Sequence, residues 1–390
     1  MNMVGILARN EASTITGVAE AADKGLHLTF PSCRNVVMLA DSGSVDGTVQ
    51  CFATTRLQAE KVMVCSNGAG SGKGTNVLAI SGRALQLGAR QVVILGGNLR
   101  TPDPEWVRLL ASAVAGGKPA IALATHARDR YDASIANHLV RPLIAATFGA
   151  HLAQPIGGEV AMNYAFLQEM SSWEAPDSAR LYGIDAWLTA NALRQGLKVT
   201  EVPLGGTVHR LAPVKTLPRC QQVVDALFYV MTWLDKPHPV SRTAAAYREV
   251  VSQTAARRSP PQLPPALCDR LTGYVTRHRE DLCALFPSIR SLQHAPWGVR
   301  IPVEAWPDLL ADAVEGLAAG EFLRSRDHLA VLLACRTATF WYEIESLDAQ
   351  RIDSLLAHQA RDTATTVRRR KITFGELFQS SWSTGLWKGL

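Results

Sequence analysis

The stretch SNGAGSGKGTN, residues 66–76, packs four glycines around Lys73 and Thr75 and lies one step from a phosphate loop. That loop needs Gly-x-x-x-x-Gly-Lys-Ser/Thr, so that backbone N–H groups wrap the phosphates and the hydroxyl holds magnesium. Here Asn67 stands where the first glycine belongs and Gly74 where the hydroxyl residue belongs. Both ends of the pattern fail, which leaves a Gly-rich turn whose meaning depends on its neighbours.

Those neighbours alternate short apolar runs with helical patterns. VGILA (4–8) precedes a helix expected near 13–24, NVVMLAD (35–41) one near 45–58, KVMVCS (61–66) one near 75–87, and QVVILGG (91–97) one opening at Pro104. This order predicts an α/β fold, a mainly parallel sheet with helices on both faces. Ligands of such sheets bind outside the carboxyl ends of the strands. The informative residues are therefore Ala8-Arg9-Asn10-Glu11, Asp41-Ser42-Gly43-Ser44, Asn67 to Lys73, and Gly96-Gly97-Asn98.

The pattern changes after about residue 236. PHPVSR and SPPQLPP (259–265) read as connectors, and helices are expected over 266–285, 303–319, 322–345 and 347–366. The expected domains are thus 1–235 and 236–390. RRRK (368–371) reads as a solvated helix end in preference to a nucleic-acid contact.

The chain has 390 residues, 47% of them hydrophobic, enough for two or three domains with full cores. A net charge of +6 suits an anionic small molecule about as well as nucleic acid. Seven scattered cysteines without a Cys-x-x-Cys pair predict free thiols in a reducing compartment, with neither disulfides nor a zinc site. The N-terminus lacks a signal-peptide pattern, and no run reaches the ~18 apolar residues of a membrane span. A cytoplasmic protein is expected.

In order, LARNEASTI, LADSGSVDGT, GSGKGTN, QPIGGE (154–159), YGID (182–185) and VHR (208–210) resemble the motifs of GT-A fold nucleotide-sugar glycosyltransferases. Within these, QPIGGE, YGID and HR look most like the retaining enzymes that make mannosylglycerate, glucosylglycerate and glucosyl-3-phosphoglycerate. The resemblance spans residues 4 to about 235. It implies a GT-A sheet followed by a helical C-terminal domain, a UDP- or GDP-hexose donor, and a small anionic (glycerate-like) or polyol acceptor. Nucleic acid is not an expected partner, and the helical tail is expected either to pair subunits into a homodimer or to close over the site.

The residues have readings of their own beside that resemblance. Glu11 and Asp41, at the ends of adjacent strands, can accept hydrogen bonds from a base or from ribose hydroxyls, with turn-capping the plainer explanation for Asp41 and the preferred one for Asp46. Ala8, Arg9, Gly72 and Lys73 complete the expected nucleotide contacts; the glycines would let a flat base approach, and Lys73 would bring positive charge. Gly157 and Gly158 allow close backbone approach beside a donor sugar and an acceptor, or form only a tight turn. The resemblance makes Glu159 and Asp185 the catalytic pair, one on sugar hydroxyls and one near the reacting centre; a helix N-cap is the plain alternative for Asp185. It also places His209 on a divalent cation, and Arg128, Arg130 and Ser134 at the acceptor's anionic group, where a hydroxyl position is taken by Ala136.

The resemblance further calls for Asp-x-Asp after the fourth strand, to hold Mg²⁺ or Mn²⁺ against the donor diphosphate. Gly96-Gly97-Asn98 stands there instead. Asn98 and His209 would make at most a weak site, so metal-independence is expected, with Lys73, Arg100 or Arg210 facing the leaving diphosphate. The leading expectation is a retaining hexosyltransferase. The alternative is a catalytically degenerate relative that binds a nucleotide or sugar and acts through a partner. A sugar-phosphate nucleotidyltransferase is disfavoured because the Gly-rich loop follows the third strand and not the first.

Overall fold

The computed structural model describes residues 1–65, 72–206, 216–231, 233 and 260–372. Seven strands form one sheet: β1 (Asn2–Ala8), β2 (Asn35–Asp41), β3 (Glu60–Cys65), β4 (Gln91–Gly96), β5 (Ala120–Ala127), β6 (Val160–Asn163) and β7 (Lys198–Gly206). Their order is β3-β2-β1-β4-β6-β5-β7. β6 alone runs antiparallel, against both β4 and β5. The sheet is therefore mixed and mainly parallel, as expected, and the four strands foreseen in the sequence lie within two residues of their predicted limits.

The helices explain why these apolar runs are continuous and not alternating. Between the strands lie α1 (Ile15–Thr29), α2 (Thr48–Thr54), α3 (Lys73–Gln86) and α4 (Glu105–Ala113). Val4 and Ile6 of β1, with Val37 and Leu39 of β2, share one core with Val18, Ala22 and Leu26 of α1 and with Trp106 and Leu110 of α4. The opposite face of β1 carries Gly5, where a Cβ would fall 2.5 Å from the Ile80 side chain of α3. Both faces of the central strand are covered, so both must be apolar, and each large side chain so buried contributes about 1.5–3 kcal/mol.

β1 has β2 on one side and β4 on the other, so the chain reverses its direction of travel across the sheet between them. Crevices at such reversals, outside the carboxyl ends, are where open α/β sheets bind ligands. At this point Gly97 donates its N–H to the Leu7 carbonyl at 2.8 Å and accepts the Thr14 hydroxyl at 2.7 Å. A Cβ on Gly97 would lie 2.8 Å from the Leu7 carbonyl oxygen. Glycine is required there by the closeness of the β1 backbone.

The described residues divide into two compact units. One holds the sheet with residues 1–127 and 156–206; it also contains α6 (Tyr164–Met170), α7 (Asp177–Arg180) and α8 (Ile184–Arg194). The other is helical and holds residues 128–155, 216–231 and 260–372. It comprises α5 (Arg141–Phe148), which follows a π-helical turn at Ala136–Val140, and α9 (Thr216–Met231), α10 (Pro265–Arg277), α11 (Arg279–Leu285), α12 (Trp306–Ala318), α13 (Phe322–Glu343) and α14 (Ala349–Arg369). All four helical stretches expected after residue 265 are present.

Residues 128–155 and 216–231, on the near side of the boundary expected at 235, group with the C-terminal helices. Their packing gives the reason. Ala145 of α5 meets Ala360 and Ala364 of α14 in a small-residue seam, and the indole Nε1–H of Trp306 donates to the His138 carbonyl at 2.5 Å. His138 Nδ1 lies 3.3 Å from the Gln359 side chain. All seven cysteines are free thiols, and burial pushes Cys335 up to about 12. Among the described residues no helix is long and apolar enough to cross a membrane.

Candidate functional site

The loops after β1 and β2 are bonded to each other. Asn10, which takes a positive φ of 60°, donates its N–H to the Ser44 hydroxyl at 2.8 Å and accepts the Val45 N–H at 3.0 Å. Glu11 N–H reaches the Thr48 hydroxyl at 2.8 Å, and Ala12 N–H reaches Asp46 at 3.0 Å. Asp46 accepts from the Thr48 hydroxyl and N–H, and these bonds, the hydroxyl's first, hold its carboxyl below the usual range.

Asp41 is 2% exposed and closes its own turn: Oδ1 accepts the Ser44 hydroxyl at 2.5 Å and Oδ2 the Ser44 N–H at 2.8 Å. Glu11 is half-buried. Burial first, then the nearby Asp46 charge, raises its carboxyl above the ordinary value, opposed by a bond from Thr14. Ala8 is buried at the end of β1 opposite Asp41, and Arg9 is exposed.

Residues 66–71 of the Gly-rich loop lie outside the described residues; Gly72 onward is described. Its glycines meet the chain itself. A Cβ on Gly74 would fall 1.8 Å from the Ala179 carbonyl oxygen, and one on Gly72 would fall 3.0 Å from Leu181 Cα. Gly74 N–H donates to the Leu181 carbonyl at 2.8 Å, and the Thr75 hydroxyl to the Arg180 carbonyl at 3.1 Å. The close approach that the glycines permit is to the segment 179–181, which leads into YGID.

That contact brings Lys73 to Asp185. Lys73 opens α3 and Asp185 lies in the first turn of α8, where a carboxylate favours the helix dipole. The α8 cap is Gly183 and no side chain caps it, so Asp185 does not serve as an N-cap. Instead its Oδ2 lies 2.5 Å from Lys73 Nζ. Burial, the largest single influence, would lower the Lys73 ammonium; Asp185, Tyr182 and Glu159 together outweigh it, and Lys73 titrates above its ordinary value.

Glu159 follows the Gly157-Gly158 turn. Gly158 has a φ of 103°, and a Cβ on Gly157 would lie 2.0 Å from the Ala124 carbonyl oxygen, so both glycines are needed to lay this turn on β5. The carboxylate is 4% exposed, and its Oε2 lies 2.8 Å from Nε2 of His126, itself 1% exposed. The Trp106 indole packs edge-on against the His126 ring at 5.3 Å. On the other side a Cβ at Gly96 would stand 3.4 Å from Glu159 Oε1 and 2.8 Å from Asn98 Oδ1.

The sheet unit thus brings together Lys73, Asp185, Glu159, Gly96 and Asn98, with Glu11 and Asp41 on the adjacent loops; Arg100 is exposed beyond Asn98. Arg128, Arg130 and Ser134 belong to the helical unit. There Arg128 donates to Gln154 at 3.1 Å, Arg130 donates to the Leu347 carbonyl at 2.9 Å, and Ser134 is half-buried. His209 and Arg210 lie outside the described residues. Sequence reasoning passed over His126, whose only signal is a histidine near the end of an apolar run, and Tyr182, one of the groups that raise the Lys73 ammonium.

No family model matches this sequence, and no curated protein matches it. Solved structures are similar to it. Glucosyl-3-phosphoglycerate synthase from Mycobacterium tuberculosis in complex with phosphoglyceric acid is 22% identical, with a TM-score of 0.46 over 59% of this chain and 79% of that one. The same enzyme with Mn²⁺, uridine diphosphate and glucosyl-3-phosphoglycerate is 23% identical, with a TM-score of 0.47 and the same coverage. Its complex with Mg²⁺ and uridine diphosphate is 22% identical, with a TM-score of 0.47, 59% of this chain and 79% of that one.

Among the described residues, the turn after β4 supplies few ligands for a divalent cation; His209, the other expected ligand, lies outside them. Hard cations need several oxygen ligands, and the turn after β4 offers one amide oxygen, from Asn98. The neighbouring carboxylate, Glu159, is already held by His126. Among the described residues no group of three or more His, Cys, Asp or Glu side chains is arranged to hold a metal.

Proposed function

We propose that this chain is a retaining hexosyltransferase that takes a nucleoside-diphosphate hexose as donor and a small anionic, glycerate-like or polyol molecule as acceptor. The observation that carries this reading is the meeting of Lys73 with Asp185, 112 positions apart, in the unit whose sheet also carries Glu159, a charge that helps raise the Lys73 ammonium. A nucleotide-sugar needs one positive charge for its diphosphate and carboxylates for its sugar hydroxyls, and this cluster contains both. The order of motifs in the sequence supports the same reading.

In this proposal Glu11 and Asp41, with Ala8, Arg9 and Gly72, form the nucleoside end, and Glu159 and Asp185 address the hexose. Lys73 sits between them. When the diphosphate leaves, its added negative charge is met by fixed positive groups in a poorly hydrated site, where such interactions are strongest. Lys73 is the described candidate, and Arg100, His209 and Arg210 complete the proposed set. No step is routed through a metal ion. The proposed domains remain 1–235 for catalysis and 236–390 for the helical part, with a homodimer as the proposed assembly.

Calorimetry with UDP, GDP and ADP, in EDTA and then in excess Mn²⁺, tests the binding half. We expect micromolar binding of one nucleotide, unchanged by Mn²⁺; a hundredfold gain with Mn²⁺ would sink the metal-free account. Transfer is tested with UDP- and GDP-hexoses against glycerate, 3-phosphoglycerate and glycerol.

A second reading rests on Gly96-Gly97-Asn98, which removes the expected carboxylates. Here the chain binds a nucleotide-sugar and catalyses nothing. Nucleotide binding without hydrolysis or transfer across the donor panel favours this reading over the first.

A further inference from the structure

We propose that His126 is the positioning residue of Glu159, the carboxylate that reads a donor's hexose hydroxyls. This rests on the reading of the site as one for nucleotide-sugars. It adds to that reading one residue, which faces Oε2 of Glu159.

On the inner side, His126 Nε2 lies 2.8 Å from Oε2. An ionised carboxylate only accepts hydrogen bonds, so Nε2 carries the proton of this bond. The bond is charge-assisted, between groups 1% and 4% exposed, where water competes little. The ring cannot easily turn away, because Trp106 packs edge-on against it. Trp106 belongs to α4, whose Val107, Leu110 and Ala111 are buried in the sheet core. Glu159 is thereby tied through its partner to the buried core of this unit.

The test is calorimetry on the full chain with UDP and UDP-glucose and with GDP and GDP-mannose, comparing wild type with His126→Leu and His126→Gln; melting curves verify folding. We expect His126→Leu to weaken the nucleotide-sugar about tenfold or more while the matching nucleoside diphosphate changes less than about twofold, as loss of a bond to a charged group implies. His126→Gln, whose amide nitrogen falls near Nε2, recovers most of the loss.

A folded His126→Leu protein that loses both ligands equally, or loses neither, overturns the positioning role and leaves the proposed function standing. So does failure of His126→Gln to recover binding. Absence of any nucleotide-sugar binding by the wild-type chain overturns the proposed function and this inference with it.

Discussion

Lys73 Nζ lies 2.5 Å from the Asp185 carboxylate, joining the first residue of α3 to the first turn of α8. Their side chains are only 24% and 13% exposed, so this pair is not screened as a surface ion pair is. We expect Lys73→Ala to lower stability by about 2 kcal/mol, because it leaves Asp185 without its cation. A double-mutant cycle with Asp185→Asn should return a coupling of about 1–2 kcal/mol. A value near zero in urea denaturation would show that the two groups stabilise the fold independently.

Two glycines of the site answer to backbone contact, and a third does not. Gly74→Ala would set a Cβ 1.8 Å from the Ala179 carbonyl oxygen, and Gly157→Ala would set one 2.0 Å from that of Ala124. Neither backbone can yield cheaply, and each substitution should cost about 2–4 kcal/mol. Gly82 is exposed within α3 and a Cβ there meets nothing within 4 Å. Gly82→Ala should stabilise by about 0.4–1 kcal/mol. Thermal melts of the three variants test the contrast.

Asp225 of α9 faces Arg326 of α13 at 3.2 Å, with Asp327 bonded to the same guanidinium. Burial, only partly offset by Arg326, pushes the Asp225 carboxyl up from 3.8 to about 6. The folded state then holds a proton that the unfolded state releases, so stability falls as pH rises from about 4 to 6. Above that window the full penalty, about 2–3 kcal/mol, is present. Asp225→Asn should flatten this component: the stability of wild type relative to the variant should drop between pH 4 and 6. A constant difference would count against it.

His138 has the opposite sign. It is fully buried against Gln359 and the Phe340 ring, and burial, aided by the Arg336 charge, lowers its imidazole well below 6.5. The unfolded chain therefore takes up the proton first. The stability that the neutral ring contributes is complete above pH 6.5 and is lost as pH falls, by up to about 1.4 kcal/mol per unit. Between pH 7 and 5 the advantage of wild type over His138→Asn should shrink accordingly; a pH-independent gap would mean that His138 is protonated in the fold.

Much of the sheet was legible in the chain. VGILA, NVVMLAD and QVVILGG are largely apolar because both faces of their strands are covered, whereas KVMVCS forms the largely exposed edge strand β3; the limits of all four fall close to those of β1 to β4. β6 was not foreseen: four residues, VAMN, carry too few side chains to show a period, and their antiparallel direction depends on partners on both sides. The grouping of residues 128–155 with the C-terminal helices was equally hidden. It rests on contacts such as His138 with Gln359, which lie 221 positions apart.

For the site, local sequence determined which residue types stand at the carboxyl ends of the strands, since strand ends follow from hydrophobic pattern. It also determined that Gly96-Gly97-Asn98 offers no carboxylate. What those residues do was decided only in three dimensions. Asp41 turned inward to Ser44, the glycines around Lys73 met residues 179–181, and Asp185 paired with Lys73 where a helix cap was the plain alternative. His126 carried no signal beyond its place near the end of an apolar run until folding set it against Glu159. Composition and periodicity act over a few residues, whereas a buried polar group is satisfied by whatever partner the fold delivers, and that partner can come from anywhere along the chain.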